Sequence, residues 1–140
     1  MTIVKKNFSE EQKAVYLDAL CFILNIDKKL NEKKLEHLKA RAFEIGFDMR
    51  KLKTKCSLKA PELIKLISGI EDIRLKRYVV REMIMLAIAD HELTDKDVDT
   101  IYHIGTQSGV SQDKIDDFFL WAARGVEWQI EGIKLVEEDL

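Results

Sequence analysis

ILNIDKKLNEKKLEHL (residues 23–38) carries an apolar helical stripe into a polar turn and out into a second stripe, and LAIADHELTDKDVDTI (86–101) does so again. A shift of 63 residues lays one on the other: Asp27 on Asp90, Leu30 on Leu93, Asn31 on Thr94, Leu35 on Val98, Leu38 on Ile101. The match continues to Gly46 on Gly109 and Phe47 on Val110. Two copies of one helical hairpin, about 10–47 and 72–110, are therefore expected, each with an apolar face that the other can bury.

Local signals place the elements outward from these turns. Ser9 with Gln12 forms a capping box ahead of a helix over about 10–26, whose apolar residues recur at 16, 17, 20, 23 and 24. Asn31 opens the next helix, with Leu35, Leu38, Ala42 and Ile45 on one face, and Gly46 stops it. Short helices are expected at 48–56 and 61–69, the second with Pro61 in its first turn. From Asp72, the residues Ile73, Val80, Met83, Ile84 and Ala87 mark a central helix. Thr94 and Asp97 make an acidic capping box for the helix that ends at Gly109. Ser111 caps a final helix over about 112–138, with Ile115, Phe118, Phe119, Ala122, Val126 and Ile133 as its core side. The expected fold class is all-α: one domain over 1–140, a compact bundle of about six to seven helices with approximate internal two-fold symmetry.

Composition agrees. With 46% hydrophobic and 34% charged residues, 140 residues can bury one core, while six Gly and one Pro leave little for hairpin turns. Cys21 and Cys56 stand apart and are expected as reduced packing residues of a cytoplasmic protein. No apolar run approaches a membrane span, so no membrane partner is expected. Neither a nucleophile elbow nor a Gly-rich phosphate loop is present, and the expectation is a non-enzymatic protein. Charge is polarised: residues 1–80 carry 18 Lys or Arg against 11 Asp or Glu, and residues 81–140 carry 5 against 14. Either an electropositive contact surface or a fold-back that sets opposite charges side by side accounts for it.

Asp27 and Asp90 stand where a helix ends, at the wrong end of its dipole. An Asp in a turn can accept backbone N–H bonds two or three residues on, which fixes the hairpin angle. Alternatively Asp90, Glu92, Asp95 and Asp97, with Asp27 as the repeat-related partner, form an acidic corner suited to a hard divalent cation such as Ca, Mg or Mn. An EF-hand is excluded, because Asp95 stands at the turn-Gly position and Ile101 where the bidentate Glu is needed.

The segments DKKLNEKK (27–34) and DHELTDKD (90–97), each between an apolar helix and one closed by Gly, resemble the signature of the TerB-like tellurite-resistance domain. That signature has an Asp, often followed by Gly, then an aliphatic residue, a small polar residue and an acid seven positions after the Asp. Asp90, Leu93, Thr94 and Asp97 keep it, with His91 in place of Gly; Asp27, Leu30 and Asn31 keep it in the first copy, with Lys34 at the acidic position. The resemblance covers most of the chain. It implies an all-helical bacterial stress-response module with a metal-binding acidic surface.

Two further surfaces invite a protein partner or a second copy of the chain. MRKLKTKCSLK (49–59) presents Arg50, Lys51, Lys53 and Lys55 without aromatic neighbours, which suits an acidic protein surface and argues against nucleic acid. Trp121, Gly125, Trp128 and Gly132 alternate large and small at spacings of four and three on the final helix. Such a face admits a close helix, either an intramolecular neighbour or a partner. A scaffold using these surfaces without metal is the alternative to a cation-binding module.

Overall fold

The computed structural model describes residues 8–27, 29 and 31–138. Leu30 of the first signature, the opening segment 1–7 and the last two residues of the acidic tail lie outside the described residues. Among the described residues there are six α-helices, one 3-10 turn and no strand. The helices are α1 (Glu10–Leu24), α2 (Glu32–Glu44), α3 (Ala60–Ser68), α4 (Ile73–Ala87), α5 (Asp95–Gln107) and α6 (Gln112–Glu137). No described helix is long and apolar enough to cross a membrane.

The boundaries follow from caps. Ser9 and Gln12 complete a capping box on α1, and Thr94 and Asp97 one on α5. Asn31 Oδ1 accepts from the Lys34 backbone N–H, and Ser111 Oγ from that of Lys114. At the other ends, Phe47 N–H bonds Ala42 C=O and Gly46 N–H bonds Phe43 C=O; Val110 bonds Gly105 and Gly109 bonds Thr106 in the same way. Both are Schellman closures, with Gly46 at φ +73° and Gly109 at φ +103°. The spans of α1 and α2 become those of α4 and α5 on a shift of 63 residues, and α2 and α5 share the Schellman closure, while their N-terminal caps differ.

The hairpins meet through α1 and α4. Tyr16, Leu20 and Ile23 of α1 and Val80, Met83 and Ile84 of α4 are all fully enclosed. Each such side chain contributes about 1.5–3 kcal/mol of burial, so this seam dominates the core. At one end Phe8, Tyr16 and Tyr78 form an aromatic triangle with centroids 5.5–5.6 Å apart. The helices α2 and α3 pack on α1, while α5 and α6 pack on α4. Where α5 meets α6, Gly105 lets Ile115 approach so closely that an added Cβ would lie 2.7 Å from its Cδ1.

Two expectations are corrected. The helix expected at 48–56 is a single 3-10 turn, Met49–Lys51, followed by non-helical chain. Asp48 caps that turn and pairs with Arg50, and the strand of loop beyond is tied down by Asn25, whose Nδ2–H donates to Thr54 C=O (3.0 Å). The second correction concerns α6. Ile115 and Ala122 are buried as expected and Phe118 and Phe119 partly so, but Ile133 is exposed, as is every described residue of α6 beyond Val126.

Substituting Ala at the two left-handed glycines tests the closures. Gly46→Ala should cost about 1 kcal/mol of unfolding free energy in urea titration. The loss at Gly109→Ala should be larger, since φ +103° suits glycine alone and the new Cβ would sit 3.3 Å from Lys76 Nζ.

Candidate functional site

The two polar turns come together. Asn31 Nδ2–H donates to Asp90 Oδ2 at 2.6 Å, linking the cap of α2 to the end of α4, and Asp90 Oδ1 accepts the Glu92 backbone N–H. Beside them Lys34 Nζ, nearly enclosed, lies 3.7 Å from Asp97 Oδ2 and 4.0 Å from Asp27 Oδ2. Asp97 is completely buried. Its Oδ2 also accepts the Thr94 backbone N–H, while its Oδ1 has no hydrogen-bond partner among the described residues. Lys34 and Asp97 are each the third residue of their helices, 63 residues apart, so an enclosed cation of α2 neutralises an enclosed acid of α5.

Of the residues expected to hold a metal, Asp27, Asp90 and Asp97 therefore gather around the turns, whereas Glu92 and Asp95 point to solvent-exposed positions. Among the described residues no group of three or more His, Cys, Asp or Glu side chains is arranged to hold a metal ion. The position between Asp27 and Asp97 carries an ammonium, and Asp90 is occupied by hydrogen bonds, so this donor set does not fit a divalent ion. The turn-fixing role expected for the aspartates is met at Asp90.

His91, at φ +62°, is the one non-glycine left-handed residue described. Backbone strain at such a position, on the order of 1–2 kcal/mol, persists where the surroundings impose it and is concentrated at functional sites. His91 lines an open cleft of about 950 Å³ between α2, the end of α4 and α6. Lys33, His37 and Ala40 form one wall, Met85 and Ile88 the floor, and Trp121, Gly125 and Trp128 the other wall. Burial, then the neighbouring Arg41, pushes the half-buried His37 down to about 4, so its ring is neutral at pH 7.

The tryptophans differ in how they are held. The Arg81 guanidinium lies 5.0 Å from the Tyr78 ring and 5.5 Å from Trp121, and it pairs with buried Glu82 at 3.1 Å. Burial raises the Glu82 carboxyl, and Arg81 opposes that rise. Trp121 is thereby pinned to α4 with half its surface open, whereas Trp128 is 75% exposed. Gly125 and Gly132 have nothing within 4 Å of an added Cβ. Among the described residues they admit no close neighbour. In the basic segment Lys51, Lys53 and Lys55 are exposed, and Arg50 is engaged by Asp48.

The sequence indicated the turns but not the ion pair between them, although opposite charges at corresponding positions were its signal. In the sequence the cleft is marked by the Trp121, Gly125 and Trp128 spacing of its α6 wall, while its α2 wall and floor carry no comparable signal. Compared with known proteins, the chain matches no family model, no curated protein and no solved structure.

Two measurements check the site. Lys34→Met should lower unfolding free energy by about 3–5 kcal/mol by leaving Asp97 buried and unpaired, and adding Asp97→Asn should recover much of that loss. Millimolar Ca²⁺ or Mn²⁺ should leave the wild-type melting temperature unchanged. Separately, His91→Gly should stabilise the fold by about 1 kcal/mol while His91→Ala gives no gain, which would assign the strain to backbone rather than ring.

Proposed function

We propose that this chain is a non-enzymatic protein-interaction module of the bacterial cytoplasm whose partner docks on the second half of α6 and in the cleft beside it. One observation carries this reading: an apolar helical face including Trp128 (75% exposed), Leu135 (72%) and Val136 (83%) flanks an open cleft with an apolar floor. Contiguous exposed apolar surface on a soluble chain marks an interaction site, and exposed Trp beside a pocket is the composition of a binding hot spot.

The TerB-like, stress-linked character belongs to the same proposal. It is supported by the left-handed backbone at His91, where the signature places Gly, and by the capped Asp90–Asp97 turn. The cation role that the resemblance implies falls here to the Lys34 ammonium, which favours the interaction reading over a metal-responsive one. The basic segment ranks second as a docking surface because its lysines are solvated and Met49 (41% exposed) is the one large exposed apolar side chain in it.

A photo-crosslinking residue at position 128 in cells should capture a protein, and one at position 53 should not. Crosslinks from 53 with none from 128 would move the docking surface to the basic loop.

A further inference from the structure

We infer that the occupant of the α6 face is a second copy of this chain, bound antiparallel through the same helix; this rests on the interaction reading above. Trp121, Gly125, Trp128, Gly132 and Leu135 are spaced four, three, four and three, a heptad seam about 21 Å long on one side of α6. Large residues occupy one heptad position throughout and glycine the other. A seam of this kind is its own complement when reversed. With a two-fold axis between Val126 and Glu127, Trp121 of each copy faces Gly132 of the other and Trp128 faces Gly125. Every indole then has an open glycine to fill, and the structure leaves both glycines uncovered.

Charge agrees with the same register. The positions flanking the seam on one side are Arg124 and Glu131, both exposed. Reversal about that axis sets Arg124 of each copy beside Glu131 of the other, twice by symmetry. Parallel pairing would instead oppose Trp to Trp and Gly to Gly and would set Arg124 beside Gln129 rather than an acid. The cleft extends the contact, because its α6 wall is this seam and its floor of Met85 and Ile88 receives the incoming helix. A stable interface needs about 800 Å² per partner, and the cleft beside the seam adds surface to that of the helix pair.

Sedimentation equilibrium of the full chain tests the pairing. The wild type should dimerise with rising concentration. Gly132→Leu, a change that favours helix in an exposed segment, should leave the circular dichroism intact and abolish the dimer by filling the hole for Trp121. Arg124→Glu should weaken it about tenfold, and Arg124→Glu with Glu131→Arg should restore it. Loss without restoration would overturn the antiparallel register. In the crosslinking experiment at position 128, a product of twice the chain's mass supports the pairing. A product of any other mass overturns it while leaving the interaction reading in place, and absence of any product overturns both.

Discussion

Lys34 and Asp97 constrain how the two hairpins meet. Lys34 sits in the first turn of α2, where the helix dipole disfavours a cation by a few tenths of a kcal/mol, and enclosure adds a desolvation cost of several more. Asp97, in the first turn of α5, sits at the end the dipole favours for an anion, but it too is enclosed. Neither residue is tolerable in its place without the other. The Asn31–Asp90 bond runs beside the pair and joins the same two turns. Because a covalently attached ammonium neutralises the acid, the junction is set by folding and does not wait for an ion. Whatever this domain responds to is therefore better sought away from the turns.

How legible the fold was depends on the range over which each element is determined. Helices α1, α2, α4, α5 and α6 begin at Ser, Asn, Asp or Thr whose side chain bonds a backbone N–H two or three residues on, and α2 and α5 end at left-handed glycines. These are local interactions, readable from a few consecutive residues. The 48–56 segment was misread because its conformation is set by a distant bond, Asn25 to Thr54, and by a capping Asp that supports only one turn. On α6 the periodicity correctly grouped Ile115, Ala122 and Ile133 on one face. Periodicity says which side chains share a face and nothing about what stands opposite, and every described residue past Val126 is exposed.

The candidate site divides in the same way. Asp90 as a turn fastener follows from Asx-turn chemistry, and its bond to the Glu92 N–H is local. Its acceptance of Asn31 and the meeting of Lys34 with Asp97 are tertiary, separated by 59 and 63 residues. Reading Asp97 as a ligand rested on its acidity. Its environment turned on whether a cation from elsewhere in the chain would reach it first.

Three local costs converge on one side of the molecule. His91 holds a left-handed backbone, and Gly125 and Gly132 each weaken α6 by about 1 kcal/mol relative to Ala in a half-helix that no neighbour supports. A free helix of about fifteen residues is marginal in water, so this half persists as an extension of the half that Arg81 and Trp121 anchor to α4. Among the described residues no side chain approaches positions 125 and 132, so none of them needs small residues there. In the antiparallel pairing inferred above, their use is close approach by another helix, for which bare backbone between two indoles is the requirement. His91 and Gly125 line the same cleft, and Gly132 continues its α6 wall, so departures from local preference that the fold does not need coincide with the surface that it leaves uncovered.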